Sequence, residues 1–247
     1  MKVIFLGTNG WYDTKTGNTI CTLIQTERFD ILLDAGNGIH RAAALVDGAK
    51  PVFLFLSHFH IDHIEGLHIL AKFRFREGLT LCTPTGGREI LGTFINAPFT
   101  IPLAALPYPA RILEMPEEIA TLPFLVEALP LRHSSLTLGY RFAIDGRIIS
   151  YCPDTGYCEN AVSLARDSDL LITECAYKTG QSCEAWPHLN PETAARIARE
   201  AGAKRLALTH FDAGVYTSLP ERKESEAVAS GIFAETVAAT DDLQMVF

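Results

Sequence analysis

Short apolar runs alternate along the chain with breaks marked by glycine, proline and polar residues. Val3–Leu6, Thr19–Gln25, Phe29–Leu33 and Val52–Leu56 read as strands, being rich in branched and large apolar side chains and bounded by turn formers. The second half repeats the pattern at Leu122–Leu131, Leu138–Ile144, Arg147–Tyr151, Leu170–Thr173 and Leu206–Thr209. Helical spacing of Ile64, Leu67, Leu70 and Ala71 predicts a helix over His63–Phe73, and "TPTGGREILGTF" predicts a turn followed by a short helix. Asn190-Pro191-Glu192 is a strong helix start, with Asn as N-cap and Pro in the first turn. The helix it opens, Pro191–Ala201, has a natural stop at Gly202.

Two halves of strands with helices between them predict an α/β (α+β) architecture of two packed sheets covered outside by helices. One segment departs from the pattern. Between Ala97 and Pro123, prolines at 98, 102, 107, 109, 116 and 123 rule out long regular elements. It is expected as an excursion from the core, a lid over the site or an arm of a homodimer. Nothing resembles a linker or a repeat, so residues 1–247 are expected as a single domain with this one excursion at about 97–123.

Composition narrows the function. With 48% hydrophobic residues in 247, the chain can bury a sizeable core. A formal charge of −8 argues against gripping nucleic acid through the whole surface. Lys72, Arg74 and Arg76, interleaved with Phe73 and Phe75, are either a local phosphate contact or a solvated face beside buried rings. The apolar stretch in "MKVIFLGTNGW" is too short for a signal peptide, and no later run reaches membrane-span length. Six cysteines in a chain this long do not make a disulfide framework, so reduced thiols and a cytoplasmic location are expected. Cys152, Cys158, Cys175 and Cys183 form no CxxC pair and read as ordinary thiols rather than a structural zinc site.

The chemistry concentrates at "SHFHIDH", residues 57–63, directly after the run Val52–Leu56. One buried histidine beside a strand is unremarkable. His58, His60 and His63 with Asp62 are not, because each buried imidazole needs its own partner. The end of a central strand is also where sheets with α/β winding place their sites. His133, Asp154, His188 and His210 likewise stand just after strand-like runs.

The HxHxDH motif followed by His, Asp and His resembles the metallo-β-lactamase superfamily, and the likeness runs from "FLGTNG" to "LALTHFD". The resemblance implies a four-layered αβ/βα sandwich and two divalent metal ions. It implies that His58, His60 and His133 hold one ion, that Asp62, His63 and His210 hold the other, and that Asp154 bridges them. Nitrogen and carboxylate donors without cysteine suit zinc, with manganese or iron as substitutes. Asp34 in "ILLDAGNG" matches the aspartate the superfamily keeps behind the site, where it would orient a ligand histidine; the alternative is a loop-capping Asx role.

Within the superfamily, "ITECAY" and "HLN" are similar to segments of ribonuclease Z-like enzymes, in which the histidine of the second assists phosphodiester cleavage. That implies a catalytic role for His188, beside Asp62 as ligand and catalytic residue, against the plainer reading of His188 as a side chain packed beside the helix start; in the catalytic role Glu174, or a nearby carboxylate, is expected to keep it charged. The long arm with which ribonuclease Z clamps tRNA lies between the third histidine motif and the bridging aspartate. Here only the two strands already noted fit between His133 and Asp154. The expected function is therefore a dinuclear phosphodiesterase acting on a small or flexible phosphodiester rather than on tRNA. The alternatives are a thioester or lactone hydrolase, ribonuclease Z-like RNA processing and, in a different class, a non-catalytic binding module. Trp11 and Tyr12, in the loop after the first strand, either wall the pocket or cap the core.

Overall fold

The structure is a computed structural model that describes residues 1–247. In chain order the strands of the first half are β1 (Lys2–Gly7), β2 (Asn9–Gly10), β3 (Cys21–Gln25), β4 (Asp30–Leu33), β5 (Val52–Phe55), β6 (Leu79–Pro84) and β7 (Ala110–Met115). They are followed by β8 (Leu125–Pro130), β9 (Leu138–Ile144), β10 (Arg147–Cys152), β11 (Leu170–Glu174), β12 (Leu206–Thr209), β13 (Phe211–Asp212), β14 (Thr236–Ala238) and β15 (Gln244–Val246). The α-helices are α1 (Ile61–Ile64), α2 (Gly87–Phe94), α3 (Glu159–Ala165), α4 (Pro191–Ala201) and α5 (Leu219–Ser230).

One sheet has the order β15-β1-β3-β4-β5-β6-β7, the other β14-β12-β11-β10-β9-β8. Strand residues alternate between two cores, because successive side chains point to opposite faces. Phe5, Ile31 and Phe55 face Tyr140, Phe142 and Ile172 across the space between the sheets. Their neighbours Ile4, Leu32 and Leu54 pack outward against Ile39, Leu67 and Leu91. On the other side Leu171, Leu206 and Leu208 pack against Leu164 of α3 and Ala194 and Ala198 of α4. The result is the expected four-layered αβ/βα sandwich.

Strand direction positions the chemistry. β4 runs parallel to β5, and β10, β11 and β12 are parallel to one another. β8 is antiparallel to β9, which is antiparallel to β10, so β8 shares the direction of β10. Asp34 and the HxHxDH segment therefore leave the C-terminal ends of β4 and β5. His133, Asp154, Glu174 and His210 leave the matching ends of β8, β10, β11 and β12. A two-residue parallel pairing of β2 with β13 ties the two halves together at that edge.

Two expected elements differ. The predicted helix over His63–Phe73 is one turn, α1, followed by 3₁₀ helix over Glu65–Lys72. The His63 carbonyl, which an α-helix would give to Leu67, accepts from Ala35 N at 2.8 Å, and Gly66 N donates to Ala35 O at 2.8 Å. Tertiary backbone bonds have taken the place of helical ones. The second difference concerns 97–123, where β7 is the edge strand of the first sheet, parallel to β6. Pro109 and Pro116 stand just outside its ends and cost the ladder no donor. Leu113, Met115 and Leu122 enter the inter-sheet core, so this part of the segment is core wall rather than excursion.

Candidate metal centre

The seven residues that the resemblance assigns to metal converge at the shared edge. On one side, His133 Nε2 lies 3.3 Å from His60 Nδ1. Asp154 Oδ2 is 3.7 Å from His133 Nε2 and 3.9 Å from His58 Nε2. On the other, Asp154 Oδ1 is 3.2 Å from both His63 Nε2 and His210 Nε2. These two nitrogens are 3.0 Å apart, and His210 Nε2 is 3.3 Å from Asp62 Oδ2. Asp154 thus turns one oxygen to each group of three. The donor atoms of His58, His60, His133 and Asp154, and those of Asp62, His63 and His210, form two clusters, each within 4.8 Å.

The residues present fit a cation. Buried His58 Nε2 and Asp154 Oδ1 have no hydrogen-bond partner, an arrangement costly without a ligand. Burial opposes a charge on His63, yet Asp154, Asp62 and Asp34 hold its pKa well above the ordinary value. Burial likewise works against the Asp154 carboxylate, and His210 and His63 hold its pKa well below the ordinary value. Nitrogen and carboxylate donors in two such clusters suit divalent ions.

Behind the ligands sits Asp34, fully buried. Its Oδ1 accepts from Ser57 N at 2.7 Å; its Oδ2 accepts from Ser57 Oγ at 2.8 Å, Tyr151 OH at 2.6 Å and His63 Nδ1 at 2.8 Å. A proton on Nδ1 leaves the Nε2 lone pair of His63 free to face the cluster. Backbone strain gathers here too. Trp11, Asp34 and His210 have φ of 74°, 55° and 50°, left-handed values uncommon outside glycine. Gly10 has to be glycine, since a Cβ there would lie 2.5 Å from His210 Cε1.

His188 Nδ1 is 2.7 Å from Glu174 Oε1, and Glu174 also accepts from Thr155 N at 2.6 Å and Ala176 N at 3.1 Å. Burial lowers the His188 pKa, but the charge and hydrogen bond of Glu174 prevail and push it up to about 9. His188 also forms a possible third donor group with Asp154 and His210. The tight bond to Glu174 favours an imidazolium there, which cannot ligate a metal.

A cleft of about 230 Å³ opens over the cluster. Trp11, Ile61, Trp186, His188 and Asp212 are among its walls, and neither lysine nor arginine lines it. Phe73 and Phe75 are buried while Lys72, Arg74 and Arg76 are exposed, away from the cleft, as a solvated face beside packed rings. No residue of 97–123 lines the cleft, so the segment is no lid here. No cysteine joins the donor clusters. Sequence reasoning missed three contributors: Ser57, Tyr151 and Trp186. Ser57 stood inside the quoted motif, but Tyr151 reads as a core strand residue and Trp186 as one aromatic in a loop.

Comparison with known proteins agrees with this geometry. Residues 30–211 match the family described as the β-lactamase superfamily domain. The chain is 29% identical over 234 residues to the probable metallo-hydrolase YhfI of Bacillus subtilis, covering 94% of this chain and 95% of that one. The crystal structure of YhfI superposes with a TM-score of 0.80 at 22% identity, over 99% and 98% of the two chains. Ribonuclease Z of Bacillus licheniformis is 28% identical over an alignment of 304 positions that spans 98% of this chain and 97% of the relative. A diphosphatase of the PhnP family shares the fold with a TM-score of 0.71 at 16% identity, over 100% of this chain and 97% of that one. With its donor clusters at the edge between two sheets, the chain belongs to the β-lactamase superfamily, among the metal-dependent hydrolases.

Proposed function

We propose that the chain is a dinuclear phosphodiesterase acting on a small or flexible diester, such as a cyclic nucleotide or cyclic sugar phosphate. His58, His60 and His133 hold one divalent ion, Asp62, His63 and His210 the other, and Asp154 spans both; zinc fits the donors best. When bound, such a pair polarises a water and the phosphoryl oxygens. The observation that carries the reading is the His188–Glu174 pair at 2.7 Å on the cleft wall. With Nδ1 committed to Glu174, the other ring nitrogen is left to donate a proton to a departing alkoxide.

The cleft favours a single diester over a polyanion, because His188 is the one cationic group on its walls and neither lysine nor arginine lines it to hold flanking phosphates. The alignment with ribonuclease Z runs over 304 positions against 247 residues here, so that relative carries chain that this protein lacks. No helix is long and apolar enough to cross a membrane, and six free thiols, four of them buried, suit a reducing cytosol.

His188→Ala tests the reading. It is expected to keep metal and fold while slowing alkoxide-leaving diesters by ~10²–10⁴-fold. For a p-nitrophenolate leaving group, which needs little protonation, the loss is expected to shrink. Equal losses on both would remove His188 as the acid. Thioester or lactone hydrolysis untouched by the substitution would favour carboxylic substrates instead.

A further inference from the structure

Large apolar side chains crowd one rim of the cleft and stay open to solvent. Trp11 is 62% exposed, Ile61 61% and Trp186 37%. Trp11 and Trp186 lie nearly parallel, centroids 6.2 Å apart at 21°, within the ordinary range of a stacked pair. Trp186 stacks at 5.5 Å and 9° on His60, so the paired indoles stand directly beside the donor clusters.

Trp11 carries a second signal. Of the six non-glycine residues at positive φ it is the only one that is neither Asp nor His. A bulky side chain there is a true outlier with a strained backbone. Its ring offsets little of that strain through burial. The loop is nonetheless firmly braced: Arg222, itself buried, donates to Thr8 Oγ1 at 2.8 Å and Thr16 Oγ1 at 3.1 Å. Trp11 N donates to Asp62 Oδ2 at 2.7 Å, fixing the indole's root against a donor of the cluster. A strained, exposed, rigidly mounted aromatic at the mouth of a site points to a ligand for its open face.

We propose that Trp11 is a specificity residue that stacks a planar ring of the substrate, a nucleobase carried next to the scissile phosphate, on its open face, with Trp186 backing the indole from the other side. The proposal rests on the phosphodiesterase reading for its reaction but not for its binding. Stacking suits this mouth because it needs no cation and tolerates any base.

The test compares the metal-replete protein and its Trp11→Ala, Trp11→Gly and Trp11→Phe variants on two diesters with the same leaving group. These are thymidine 5′-p-nitrophenyl phosphate and methyl p-nitrophenyl phosphate. Base stacking worth ~1–3 kcal/mol predicts a KM about 5–150-fold lower for the thymidine ester in the wild type. Trp11→Ala and Trp11→Gly are expected to abolish that preference, Trp11→Phe to keep most of it, and Trp11→Gly to melt no lower than wild type as the strain is released. A preference unchanged in Trp11→Ala overturns the proposal. So does a Trp11→Ala variant that merely dissociates a dimer while keeping the preference, which would assign the ring to a second copy of the chain. Hydrolysis of neither ester would count against the diester reading alone. Calorimetric binding of thymidine 5′-monophosphate then decides the ring: affinity lost in Trp11→Ala supports stacking, affinity retained refutes it.

Discussion

Replacing Asp34 by asparagine keeps the size of a fully buried side chain but changes what it accepts. The carboxylate takes four hydrogen bonds, one on Oδ1 from Ser57 N and three on Oδ2 from Ser57 Oγ, Tyr151 OH and His63 Nδ1. The asparagine carbonyl has to stay on the Oδ1 side, because an NH₂ there would face the Ser57 N–H. The amide nitrogen then occupies the Oδ2 position. The serine and tyrosine hydroxyls can rotate to accept from it, but His63 can accept only by moving its proton from Nδ1 to Nε2. That places a proton on the nitrogen that faces His210 Nε2 at 3.0 Å and Asp154 Oδ1 at 3.2 Å. Losing such an orienting partner typically costs ~10–100-fold in metal affinity, or about 1.4–2.8 kcal/mol. The loss is expected on one ion, the one beside Asp62, His63 and His210. Competition against a chromophoric chelator should resolve one weakened and one unchanged binding step, and ¹⁵N spectra should report the tautomer change. Two ions bound at wild-type affinity, or an unchanged His63 tautomer, would refute the reasoning.

Asp154→Ala removes the carboxylate that faces both clusters and is expected to leave at most one tightly held ion per chain, measured by elemental analysis after gel filtration. Asn190→Ala removes the cap that accepts from Thr193 N at 2.9 Å. It should lower stability by ~1 kcal/mol in denaturant unfolding, with turnover per folded molecule unchanged. Burial pushes the Asp169 pKa up, but Lys204 at 2.9 Å and Ile148 N at 2.8 Å outweigh it and hold it below the ordinary value. A depressed carboxylate stabilises above its unfolded pKa, near 3.9, and the contribution fades as pH falls through the lower folded value. The wild type should therefore lead Asp169→Asn in melting temperature at neutral pH, and the gap should narrow below about pH 4; a constant gap would remove Asp169 as the cause.

The donors were readable because each stands after a strand-like apolar run, or within the short HxHxDH motif that follows one, so sequence adjacency stood in for spatial convergence. Asp34 was readable for the same reason. Its tyrosine partner was not: Tyr151 lies inside β10, and only the distance between the two sheets brings its hydroxyl to Asp34. The 3₁₀ helix over Glu65–Lys72 carries a helical apolar pattern, and nothing local announces that Ala35 will take the His63 carbonyl. Helix α5 was invisible for the opposite reason. It buries Arg222, Ser225 and Ala229, so the face it packs inward is polar or small and leaves no apolar period. β7 hid among prolines because six residues suffice for an edge strand. Trp11 announced an aromatic near the first strand, but its strain and its facing partner Trp186 are properties of the folded loops.

The central claim is that this cleft cleaves phosphodiesters. Its most direct measurement is a single panel run on metal-replete protein of known metal content: 2′,3′-cyclic nucleotide, bis(p-nitrophenyl) phosphate, a precursor tRNA, an acyl thioester and a lactone. The account predicts turnover of the two small diesters with two ions per chain, and little on the tRNA. Turnover confined to the thioester or lactone, with both ions in place, would contradict it.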